Sequence, residues 1–340
     1  MNHRTRVAEM LAHRPVDRCA VQYLYGPVGF YEHGEALNDL YEQYPGDFGP
    51  FARQKIPAPP AAAFDADGRY YERITDEWGA TMEYRVYGIM GHAVDFPVQT
   101  MEDARQYKFP PQPDDLSRPA AYRDKVSRMK QDYFVLAGGG GLLERMWAIR
   151  GFENLMVDLV DEKPEINALM DRLADYFRAQ VVAAADAGAD GISFGDDYGT
   201  QNGLLLSPET FRRVVKPRLA HMMEPAVKKG LHIHFHSCGL VSDLFEDFRD
   251  LGIQSLWPQL PLYDMRELKR ALDYYGFSLA IHTDRAVTMT SGTAEDVREA
   301  VLLENEIFKP KDGGAWFHIE ADTGFPLENL RTLVETVNRI

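Results

Sequence analysis

The α/β fold predicted from the sequence is a (β/α)8 barrel with an elaborated N-terminal region. Three observations predict it. Short apolar stretches alternate with helix-length amphipathic ones through the second half of the chain, which is the pattern of a parallel sheet. Eight strand-like stretches can be counted in order, the number a closed barrel needs. No strand is followed by a glycine-rich turn of G-x-G-x-x-G spacing, which a doubly wound dinucleotide fold would carry.

The first strand is expected at Cys19–Tyr25 and the second near Thr81–Val86. The remaining six fall at Tyr133–Ala137, Gly191–Asp197, His232–Cys238, Gln254–Gln259, Leu279–Asp284 and Ala315–Ala321. Helices are predicted between them at Pro164–Ala187, Pro208–Lys229, Val241–Leu251, Met265–Tyr275 and Ala294–Phe308. Gly188 follows the first of these, as glycine commonly follows a helix end. Ser207-Pro208 reads as an N-cap followed by proline in the first turn. Thr293 precedes Glu295 and Asp296, acids that suit a helix N-terminus. Gly138–Gly141 follows a strand but lacks dinucleotide spacing. Residues 26–129 are irregular, with the proline-rich pieces Pro57-Ala58-Pro59-Pro60 and Pro110-Pro111-Gln112-Pro113. They read as an elaboration of early barrel loops within one domain spanning residues 1–340.

The 340 residues are 45% hydrophobic and carry a formal net charge of −15. So acidic a chain lacks the basic footprint of a nucleic-acid or anionic-membrane surface. Two cysteines, Cys19 and Cys238, make no disulfide framework, so a reducing, cytoplasmic setting is expected. The first residues show no apolar signal-peptide region, and no apolar run is long enough to predict a membrane span.

Leu231-His232-Ile233-His234-Phe235-His236-Ser237-Cys238-Gly239 alternates polar and apolar residues and stops at glycine. A strand places His232, His234, His236 and Cys238 on one face and Ile233 and Phe235 on the other. An imidazole and a thiol two residues apart at a strand end can close on one zinc ion. His232 and His234 lie deeper and read as hydrogen-bonded structural residues.

Barrel enzymes carry their reactive groups at the C-terminal strand ends. Applied strand by strand, that rule gathers Asp197, His236, Cys238, Gln259, His282, Asp284 and Glu320 at one mouth. Asp197, His282 and Asp284 are the candidate catalytic residues. Tyr25, Trp257, Gln259, Arg285 and Trp316 are candidates for the substrate pocket, and the aromatic ones could also attract a quaternary ammonium.

Several motifs carry a family resemblance. They are His13-Arg14-Pro15-Val16-Asp17-Arg18, Asp76-Glu77-Trp78-Gly79, Gly195 through Gln201 with Leu206-Ser207-Pro208, His236-Ser237-Cys238-Gly239, Gly292 through Arg298, and Pro326 through Leu330. In this order the chain resembles the uroporphyrinogen decarboxylase superfamily, and its cobalamin-linked zinc methyltransferases more than its decarboxylases. The resemblance implies a (β/α)8 barrel. It also implies zinc, a corrinoid carried by a partner protein, and a small O-, N- or S-methylated substrate; a homodimer is compatible with it. True decarboxylases of the family carry an arginine-rich stretch after the first strand. Here that stretch reads Tyr25-Gly26-Pro27-Val28-Gly29-Phe30-Tyr31, without arginine.

The zinc methyltransferases hold the metal with a His-x-Cys pair and a later cysteine. His236 and Cys238 match the pair, and the later cysteine is missing. Glu320 is the expected third ligand, with Asp197 or His318 as alternatives. A metal-free decarboxylase of a small aromatic or pyrrolic acid is the rival activity, using Asp197, His282 and Arg285. A non-catalytic barrel binding a metabolite or a corrinoid protein is the third alternative.

Overall fold

The computed structural model describes residues 1–340. Ten strands form two sheets: β1 (Val21–Leu24), β2 (Glu72–Thr75), β3 (Thr81–Tyr84), β4 (His92–Asp95), β5 (Leu136–Gly140), β6 (Gly191–Gly195), β7 (His232–Ser237), β8 (Ser255–Pro258), β9 (Ser278–Ile281) and β10 (Ala315–Glu320). The larger sheet is curled and has seven strands in the order β1-β10-β9-β8-β7-β6-β5, every pair parallel. The predicted closed eight-strand barrel is therefore corrected to a seven-strand barrel-like sheet with β1 and β5 at its open edges. The strand expected near Thr81–Val86 exists, but as the middle of a separate antiparallel sheet, β2-β3-β4. Strand propensity alone does not reveal which partner a strand will find.

β5 also departs from expectation, running Leu136–Gly140 where Tyr133–Ala137 was predicted. Two of its three glycines, Gly139 and Gly140, sit where aromatic rings occupy the space a side chain would need. A Cβ on Gly139 would collide with the Phe194 ring, and one on Gly140 with the Phe177 ring. A rule seeking apolar side chains passes over such a strand.

Other helices begin and end close to where their signals stand. Pro164–Ala187, Met265–Tyr275 and Ala294–Phe308 match the expected spans. Thr293 and Asp296 form a capping box, which satisfies two end groups at once. The expected helix Pro208–Lys229 is interrupted by a π-helical segment at Phe211–Val215. Val241–Leu251 opens instead with a 3-10 turn at Ser242–Leu244.

The alternation in β7 sorts the two sides of the sheet. Ile233 and Phe235 are buried in the main core with Ile192, Phe194, Phe317 and Ile319. The opposite face carries the histidines. The lower lumen is plugged by a second apolar cluster that includes Val7, Met10, Phe134 and Trp316. No helix is long and apolar enough to cross a membrane.

Candidate metal and catalytic site

β6 and β7 run in register, with Gly195 opposite His236. The chain leaves β6 through Asp196-Asp197 and leaves β7 through Cys238-Gly239, so both exits lie side by side. One donor atom each from Asp197, His236 and Cys238 falls within 4.8 Å of the others. His236 Nε2 lies 3.5 Å from Cys238 Sγ and 3.7 Å from Asp197 Oδ1. A tetrahedral zinc with ordinary bond lengths places its nitrogen and sulfur ligands about 3.5 Å apart, and nitrogen and oxygen slightly closer.

His236 Nδ1–H donates to the Trp257 carbonyl at 2.8 Å, which leaves the Nε2 lone pair facing the other donors. The Cys238 backbone N–H donates to Asp197 Oδ1 at 2.7 Å and fixes the carboxylate against the strand end. Burial, with Asp197 adding repulsion, pushes the Cys238 thiol up to about 12. Burial also lowers the His236 imidazole pKa. A neutral imidazole, a thiol and a carboxylate crowded together without a cation are a donor set that fits a divalent metal.

The other expected residues are placed differently. Glu320 stands outside the group of three donors. It accepts from Arg285 Nη1 at 2.7 Å and lies 3.3 Å from His282 Nε2. Burial pushes its carboxyl up, but His282 and Arg285 outweigh that and hold it below the usual range. Trp257 Nε1–H donates to His282 Nδ1 at 3.1 Å, so His282 carries its hydrogen on Nε2 and points it at Glu320. Arg285 also approaches Asp322 at 3.7 Å.

Asp284 accepts from the backbone N–H groups of Ala286, Val287 and Thr288, so its carboxylate is a turn cap instead of a free catalytic base. Trp316 is fully buried in the lower plug and donates to Gln22 at 2.9 Å, which removes it from the pocket expected for it. Tyr25 packs into an aromatic group with Tyr23, Tyr41 and Phe51. Gln259 accepts from the Gly239 N–H at 3.1 Å and holds the turn after Cys238. Deeper in the lumen, His232 and His234 share the Ser255 hydroxyl at 2.7 and 2.9 Å, the structural role expected of them. His318 packs against Trp257 with ring centroids 3.9 Å apart and the rings tilted by 33°, and neither of its buried ring nitrogens has a hydrogen-bond partner.

Two acids complete the picture. Asp196 is buried and accepts from the N–H groups of Leu142, Leu143 and Glu144 and from the Tyr198 hydroxyl. It therefore ties the helix after β5 to the end of β6. That tie sets Glu144, a residue that sequence reasoning did not single out, beside Asp196 and Asp197. Burial, with repulsion from both aspartates, pushes Glu144 up to about 8. The available signal was its position three residues past the tetraglycine strand end.

A family model described as Uroporphyrinogen decarboxylase (URO-D) matches residues 77–340. The chain belongs to the uroporphyrinogen decarboxylase family. The match spans β3 to the C-terminus and includes every candidate site residue except Tyr25. The resemblance read from the motifs is borne out at the level of the family. Among solved structures, a methyltransferase from Methanosarcina mazei is similar over 100% of this chain and 99% of its own, with TM-score 0.67 and 16% identity. Likeness at that identity is one of fold. An N-acetylneuraminic acid synthetase from Leptospira borgpetersenii serovar Hardjo-bovis, in complex with citrate, aligns over 54% of this chain and 53% of its own. Its TM-score is 0.28 at 20% identity, too low to inform the fold. No curated protein matches the sequence significantly.

Proposed function

We propose that this protein is a zinc-dependent methyltransferase that moves a methyl group from a small methylated compound to a corrinoid on a partner protein. The observation that carries it is the approach of Asp197, His236 and Cys238 within 4.8 Å, with the His236 lone pair turned inward. These three residues would hold the metal, so Asp197 takes the place expected for Glu320. When bound, zinc supplies Lewis acidity that draws charge from the heteroatom leaving the methyl group.

The protein's own groups do the rest. In the transfer, the bond between heteroatom and methyl carbon breaks, and its electron pair stays on the heteroatom. The new bond to carbon uses the acceptor's electron pair. Glu144, whose carboxyl is pushed up to about 8 by burial, holds a proton for the released heteroatom. Trp257 and Glu320 fix the tautomer and direction of His282 at the far side of the mouth.

The rival decarboxylase would need a free cation to grip the substrate carboxylate. Arg285, the cation expected for that task, is already paired with Glu320. Elemental analysis of purified protein tests the proposal, with one zinc per chain expected and none in His236→Ala. Protein that neither contains zinc nor takes it up refutes it.

A further inference from the structure

A cavity of about 750 Å³ lies at the C-terminal ends of β5 and β6. Ligand chambers for small molecules span roughly 300–1,000 Å³. Met82 of the antiparallel sheet, Phe96, Trp147 and Phe177 supply apolar wall, and Glu144, Arg145, Glu153 and the titratable His92 supply polar wall. Arg145 is already engaged, with its guanidinium 4.4 Å above the Trp78 ring and 3.4 Å from Asp76. Glu144 binds Asp196 through its backbone N–H, while its carboxyl has no hydrogen-bond or ion-pair partner.

The cavity wall includes Gly195, the residue in register with His236. A Cβ at Gly195 would meet nothing nearer than His236 Cβ at 3.8 Å and Cδ2 at 4.0 Å, which is ordinary contact. Gly195 does not adopt a positive φ, so the backbone does not demand glycine there. Gly141, in the same wall, differs, because its Cβ would collide with the Gly195 carbonyl. Packing explains Gly141. At Gly195 the missing side chain leaves a gap between the cavity and the imidazole.

We infer that this cavity is the chamber of the methyl donor, that it takes a compact ring compound held by the aromatic wall, and that the donor reaches His236 and Cys238 across Gly195. The inference rests on the methyl-transfer reading above and names its substrate class. Side access leaves the lumen mouth to the bulky methyl acceptor. Donor and acceptor then arrive from different directions, as direct transfer requires, because the acceptor must meet the methyl carbon on the side opposite the breaking bond.

The probe is 4-bromophenol, located by the anomalous signal of bromine in crystals and titrated into the protein by calorimetry. Bromine among Met82, Phe96, Trp147 and Phe177, with at least tenfold weaker binding by Trp147→Ala, is the expected result. Bromine at the lumen mouth, or nowhere, overturns the chamber. In cobalt-substituted protein, bromophenol should shift the visible bands of the wild type. Gly195→Val should keep the metal and the bromine position but lose that shift, with Gly195→Ala intermediate. An undiminished shift in Gly195→Val overturns the route. Metal content is a separate readout. Wild-type protein that binds no metal sinks the methyl-transfer reading, while the bromine position still decides the chamber.

Discussion

Two clusters at the strand ends hold the same kinds of residue and end up chemically opposite. At β6 and β7, Asp197, His236 and Cys238 turn donor atoms toward one another, and none of the three is paired with a lysine or arginine, although Arg285 lies near enough to act on the Cys238 thiol. At β9 and β10, His282 and Glu320 are joined by Arg285, and both nitrogens of His282 are engaged. A histidine and a carboxylate therefore do not define a metal site by themselves. The second cluster has its positive charge built in as a paired guanidinium, and the first has no such ion pair.

The largest expected effect is on the first cluster. Cys238→Ser or His236→Ala should lower zinc affinity by at least about a hundredfold, because one of three protein ligands is lost. Chelator competition measures it, and unchanged affinity in either variant would erase the contrast between the clusters. Next comes a paired comparison, Asp197→Asn against Glu320→Gln. Asp197→Asn should weaken zinc by about ten- to a hundredfold, and Glu320→Gln should leave metal content near one per chain. The reverse ranking would restore Glu320 as the third ligand.

The pH dependence sharpens the same point. The thiol, pushed up to about 12 without metal, must lose its proton to bind. Apparent zinc affinity should rise about tenfold per pH unit between pH 6.5 and 8.5, as one released proton requires. A flat profile would mean that Cys238 is not a ligand. Smaller still is the effect of Glu144. Its folded-state pKa lies above its unfolded value, so its contribution to stability is present below about pH 4.5 and fades as pH rises through about 8. Wild-type protein should therefore lose thermal stability relative to Glu144→Gln between pH 5 and 9. Parallel melting curves for the two proteins would show that Glu144 is not perturbed.

Much of this was legible in the residues. The alternation in β7 placed three histidines on one face, and the capping signals located helices such as Ala294–Phe308. Two features hid the rest. β5 ends in glycines of which Gly139 and Gly140 make room for Phe194 and Phe177, a relation that exists only between distant segments. Trp316 shares the polar-face parity of Glu320 on β10, yet lies in the buried plug, because parity gives the face of a strand and not the depth along it.

The sequence by itself determined the strand–helix rhythm, the family, and the His-x-Cys pair, since each is a local pattern set by the period of a strand or helix. Tertiary structure alone decided that seven strands form the large sheet, that the Asp197 carboxylate and not that of Glu320 lies against the pair, and that Glu144 stands near Asp197. The physical reason is electrostatic as well as geometric. Glu320 was drawn to Arg285 from a neighbouring strand exit, while Asp197 was fixed by the Cys238 backbone N–H across the β6–β7 pairing. Neither partnership can be read from spacing along the chain.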